Sequence, residues 1–208
     1  MIRRMFLSRL GAAAAVAGVR APEQPVASET RFVAARHAAD DWFELPGKHR
    51  FFFDALSPKG ADEALLFADN FFNANHGGYG LENADLAVVV CLRHHATPFA
   101  FNDAMWAKYG AGWSDRISVV DPKTKAAPIV NVHASGYADA IKRGVHFAVC
   151  DMATHYFSGV AAAKTGGDAD SVYKELTANT VGNCHFVAAG IVAVNRAQER
   201  GYSIAYVG

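Results

Sequence analysis

The run Ala87–Leu92, AVVVCL, sets the strongest limit on this chain. It contains no polar residue in alternation, so neither face of the strand it forms can meet water. A strand covered on both faces belongs inside a mostly parallel sheet with helices above and below. Shorter apolar runs of the same kind recur at Arg50–Ala55, Val145–Cys150, His185–Ala188 and Tyr202–Val207. Between them the apolar spacing changes from strand to helix. After the turn Ser57-Pro58-Lys59-Gly60, residues Ala64, Leu65, Ala68, Phe71 and Phe72 mark a helix over Ala61–Asn75, which His76-Gly77-Gly78 is expected to end. Further helices are predicted over Asn102–Tyr109 with a stop at Gly110, Ser135–Lys142, Met152–Lys164, Ser171–Thr180 and Ile191–Arg200. Ile117–Val120 and Ala127–Asn131 flank DPKTKAA and suggest a small inserted hairpin. The alternation predicts an α/β fold: a three-layer sandwich around a mostly parallel five-stranded sheet.

The first residues have a different character. Arg3 and Arg4 are adjacent, Phe6 and Leu7 follow, and the Ala-rich stretch Leu10–Val19 has no polar face. This pattern predicts a twin-arginine export signal over residues 1–27, read by the twin-arginine translocase. Pro22 and Pro25 lead into a linker or N-terminal extension over residues 28–48, and the α/β domain is expected over residues 49–208. Such a protein would be bacterial and periplasmic or secreted. The full chain carries 20 basic and 20 acidic residues; without residues 1–27 it carries 16 and 19. A mildly acidic mature protein gives no support to a nucleic-acid partner. No apolar run is long enough for a stable membrane span.

In a parallel sheet, ligands gather at the carboxyl ends of the strands. That rule selects Asp54 after the first strand and Arg93-His94-His95 after the second. It also selects Cys150 with His155 after the third, and Ala189-Gly190 after the fourth. Cys150 stands where a strand hands over to a helix, a place where backbone amides and the helix dipole favour a thiolate. The same place also suits a small buried cysteine. Asp151 opposes a thiolate by its charge. Cys91 reads as core, and Cys184 as structural at the opposite end of the sheet. His94, His95 and His155 are candidate ligands for a transition metal or haem. Adjacent His94 and His95 are expected to point apart, and no HExxH, CxxC or CxxCH is present. No cofactor is otherwise expected, because the phosphate-binding glycine loops and the GxSxG elbow are also missing.

The segment GVHFAVCDMATHYFSGV from Gly144 resembles the strand–Cys–helix unit of the DsrE/DsrF-like sulfur-relay family. CHFVAAGIVAVNRAQERGYSIAYV from Cys184 is similar to that family's closing unit, and LRHHATPFAFNDAMWAKYG from Leu92 resembles its exported members. The resemblance implies a five-stranded sandwich with flavodoxin-like layering, assembled as a homo-oligomer, a trimer or a hexamer. It also implies a persulfide carried on Cys150. Arg93 or a rim histidine would then stabilise the anion. Three roles stay open at this point: a sulfur carrier or sulfurtransferase, a non-enzymatic ligand- or metal-binding protein, and a structural homo-oligomer.

Overall fold

The structure is a computed structural model that describes residues 33–208. The expected export signal and the start of the expected linker lie outside the described residues. The sheet comprises β1 (His49–Ala55), β2 (Leu86–Leu92), β3 (His146–Cys150), β4 (Cys184–Val187) and β5 (Ser203–Val207), in the order β4-β3-β2-β1-β5. Every pairing is parallel, where the sequence predicted a mostly parallel sheet. All seven residues of β2 are buried, as its unbroken apolar run requires.

Six helices connect the strands: α1 (Pro58–Tyr79), α2 (Asp103–Ile117), α3 (Ala134–Lys142), α4 (Asp151–Thr165), α5 (Ala169–Ala178) and α6 (Gly190–Glu199). The strand order explains which face each one covers. Three successive crossovers step from β1 to β4 in one direction, and the fourth returns across the sheet to β5. With one handedness for all four, the return helix must lie on the opposite face. The two cores follow this division. Ala64, Trp106, Tyr137, Phe157 and Leu176, from α1 to α5, pack with Val88 and Val90 of β2. Ala193 and Ala197 of α6 pack with Val89 and Cys91 on the other side. Among the described residues, no helix is long and apolar enough to cross a membrane.

Three sequence expectations need correction. The helix α1 runs through His76-Gly77-Gly78 and ends only at Gly80, whose φ of +65° supplies the left-handed cap. Ser57 caps its start by accepting a hydrogen bond from the Gly60 amide. Likewise, α2 continues past Gly110 to Ile117. Gly110 is small for contact, since a Cβ there would lie 2.3 Å from the Pro128 carbonyl oxygen. The inserted hairpin does not form. Ile117 ends α2, and residues 119–133 are a loop in which the Asp121 carboxylate accepts from the Lys123 and Thr124 amides. Buried Asn131 anchors the loop by donating to the carbonyls of Phe99 and Phe101.

The described part of the expected linker belongs to the fold. Ala38–Phe43 forms a 3₁₀ turn, and Phe43 is fully buried beside Phe52 and Tyr202. The Tyr202 hydroxyl donates to the Phe43 carbonyl at 2.7 Å. Trp42 stacks on His185 at 4.3 Å. This segment covers the part of the second face that the single helix α6 leaves open.

Candidate functional site

Adjacent strands β3 and β4 send their following helices to opposite faces, α4 to one and α6 to the other. Where two neighbouring connections diverge in this way, a crevice opens beyond the carboxyl ends of the strands. A cavity of about 430 Å³ occupies that place. Arg93, His94 and His95 approach it from the end of β2, Cys150 and Met152 from the start of α4, and Ala189 to Ile191 from the start of α6.

Cys150 is the residue immediately before α4 and is only 7% exposed, with that exposure on the cavity. Neither Cys150 nor Ala189 caps its helix through a side chain. The first-turn amides of α4 and α6 are therefore left without side-chain acceptors from these positions, and both positive helix ends adjoin the cavity. The other two cysteines are placed differently. Cys91 lies fully buried within β2, its sulfur 4.0 Å from the Gly190 carbonyl oxygen. Burial, and then the charge of Asp54, push its thiol well above the ordinary range. Cys184 sits at the amino end of β4, away from the cavity, and burial pushes its thiol up to about 12. All three cysteines are free.

Asp54 is buried near the end of β1 and holds Arg93 by two hydrogen bonds, of 2.7 and 2.9 Å. This contact holds the guanidinium firmly in its charged form. Gly190 lets α6 close on the Arg93 stem, because a Cβ at that position would meet Arg93 Cβ and Cδ at 2.5 Å. Asp54 thus acts behind the cavity wall, through Arg93.

His94 and His95 do not point apart. Their rings stack at 4.1 Å, within 9° of parallel, and both line the cavity. The reversal comes from the backbone: His94 has a φ of +54°, which turns its side chain to the same side as that of its neighbour. Burial, and then His94, hold His95 below the ordinary imidazole range. His155 does not join them. It is half exposed and stacks on Tyr173 at 3.9 Å, with Nε2 3.7 Å from Asp151. The Asp151 carboxylate also accepts from the Tyr173 hydroxyl at 2.6 Å, so it is engaged by α5. Among the described residues, no three or more of His, Cys, Asp and Glu come together to hold a metal ion. The expected ligand set of His94, His95 and His155 is therefore not assembled.

No family model matches the chain, and no curated protein matches it. A solved structure of a protein of unknown function from Methanobacterium thermoautotrophicum is similar over 76% of this chain and 99% of its own, at 14% identity and a TM-score of 0.42.

Sequence reasoning missed the apolar rim of the cavity. Met152, Tyr156 and Ile191 line it and are 69, 49 and 60% exposed. The available signal was the place of Met152 and Ile191 in the first turns of α4 and α6, with Tyr156 four residues after Met152 on the same face of α4. Large apolar side chains at such solvent-facing positions point to contact with something else.

Proposed function

We propose that this chain is an exported DsrE-like protein that carries sulfane sulfur as a persulfide on Cys150. The observation that supports this most is the contrast among its cysteines. Of the three, Cys150 lines this cavity, beside a helix start and a clamped guanidinium, while Cys91 is sealed in the core. In the loading step the Cys150 thiolate attacks the outer sulfur of a small persulfide, R–S–SH. The new S–S bond forms as the old one breaks, and the thiolate R–S⁻ leaves. Arg93 and the first-turn amides of α4 and α6 face the charge on the incoming and outgoing sulfur.

The same reading places the mature protein in the bacterial periplasm or outside the cell, as a trimer or hexamer that has passed the twin-arginine translocase. A non-enzymatic ligand-binding role at this cavity is the second reading, favoured by the exposed Met152 and Ile191.

Intact mass after incubation with cysteine persulfide tests the proposal. The protein should gain sulfur that a reductant removes. Cys150→Ser should abolish the gain, and Cys184→Ser should leave it unchanged. Loading that survives loss of Cys150 would overturn the sulfur-carrier reading in favour of the binding protein.

A further inference from the structure

The cavity is large for the chemistry of one sulfur atom. Its volume of about 430 Å³ falls within the roughly 300–1,000 Å³ typical of sites for organic ligands. Its walls are divided in kind. The inner end holds Cys150, the Arg93 guanidinium and the starts of α4 and α6. The outer end holds Met152, Tyr156 and Ile191, three large side chains left substantially in solvent. A ligand that fills both ends has a charged or polar head and an apolar body.

The available positive charge limits the head. Among the described lining residues there is no carboxylate, and Arg93 is the one permanently charged cation. Its charge is already matched by buried Asp54 through two hydrogen bonds. What remains is the two helix starts, each equivalent to about half a unit charge. Asp151 in the first turn of α4 reduces that sum further, although its carboxylate is turned to Tyr173. The Cys150 thiolate uses about that much, so a monoanionic donor leaves about one charge to be met by the imidazole N–H donors of His94 and His95 and by water. A dianion leaves about two and surrenders more hydration, which is costlier in a partly apolar cavity.

Resting on the persulfide reading, we infer that the sulfur donor is an organic monoanion that carries sulfane sulfur on an apolar group, and not an inorganic dianion such as thiosulfate. Organic thiosulfonates, R–SO₂–S⁻, are the simplest members of that class. The Cys150 thiolate attacks their terminal sulfur, the S–S bond to Cys150 forms as the bond to the sulfonyl sulfur breaks, and the sulfinate R–SO₂⁻ leaves with the electron pair. The product is a Cys150 persulfide anion, so atoms and charge balance without a further oxidant or reductant.

The test compares benzenethiosulfonate, methanethiosulfonate and thiosulfate as donors to the full domain. Sulfur on Cys150 is read by mass, and each rate is divided by that donor's rate with free cysteine to remove its intrinsic reactivity. Benzenethiosulfonate should saturate, with a half-saturating concentration on the order of tenfold or more below that of the methyl compound. Thiosulfate should be the poorest donor. Met152→Ser with Ile191→Ser, at two exposed positions that the core does not need, should bring the half-saturating concentrations of the phenyl and methyl compounds together, removing most of the preference for the phenyl compound. Equal or better use of thiosulfate would overturn the organic-carrier inference and leave the persulfide reading standing. No adduct on Cys150 from any donor would overturn both. A double variant that loses all three donors equally, or changes oligomeric state, would assign the apolar rim to assembly and overturn the inference.

Discussion

Arg93 and Asp54 meet in a two-bond contact across the carboxyl ends of β1 and β2: Nε to Oδ1 at 2.7 Å and Nη2 to Oδ2 at 2.9 Å. The carboxylate is buried and the guanidinium is mostly so, and both charges depend on the contact for the solvation they have lost. Arg93→Ala should destabilise the fold by about 3 kcal/mol, because it strands a buried carboxylate. Replacing both residues, as Arg93→Met with Asp54→Leu, should recover most of that loss. Urea unfolding of the two variants checks the difference. The double variant should fold but lose the charge beside Cys150, which separates the structural part of the pair from its part in the site.

Gly190→Ala should move Arg93 or the start of α6, since its Cβ would lie 2.5 Å from atoms near the root of the arginine side chain. Overpacking of this kind costs about 1–3 kcal/mol. The expected outcome is a lower melting temperature together with altered Cys150 alkylation by iodoacetamide. Gly159→Ala is the control, because nothing lies within 4 Å of a Cβ there.

Phe43→Ala should cost about 3–4 kcal/mol, as a large aromatic side chain with no exposure leaves a hole between Phe52 and Tyr202. Chemical denaturation of the variant measures it. A cost near zero would mean that the segment before β1 is a tether and not a part of the second core.

Stability should decline from about pH 9 to about pH 12. The folded state holds the Cys184 thiol and the hydroxyls of Tyr173 and Tyr202 up to about 12. Burial is the main cause for Cys184 and Tyr202, and the hydrogen bond to Asp151 for Tyr173. Once unfolded, these groups release their protons near 9 for the thiol and 10 for the phenols. The unfolded state then binds fewer protons, so each increase in pH favours it. Cys184 alone should account for on the order of 2 kcal/mol by about pH 11. Cys184→Ala should flatten the early part of the decline in urea midpoints measured across this range.

The sheet was legible because five apolar runs had no second interpretation, and β2 lies within one residue of its predicted start. The glycines misled. Gly77, Gly78 and Gly110 read as helix stops, yet a glycine ends a helix by taking a positive φ, which Gly80 does and those three do not. The contact between Gly110 and Pro128 joins residues distant in sequence, and nothing local announces it. The loop 119–133 read as a hairpin because Ile117–Val120 is apolar, although Ile117 serves as the last buried residue of α2. At the site, Cys150, Arg93, His94 and His95 were found by the strand-end rule. His155 failed because its position on α4 turns it toward Tyr173, a partner on another helix. The crevice itself could not be located without knowing that β3 and β4 are neighbours.

Among the described residues, the return crossover gives the two faces of the sheet unequal cover: five helices on one, and α6 with a short turn on the other. Amide protons should record this as a gradient. Those of β2 and of the larger core exchange only with global unfolding, while those of α6 exchange through a smaller, cheaper opening. Since α6 forms one wall of the cavity, that opening would also widen the crevice around Cys150 without loosening β3. Rigidity of the sulfur-bearing strand and adjustability of the wall facing it would then be properties of opposite faces of one sheet.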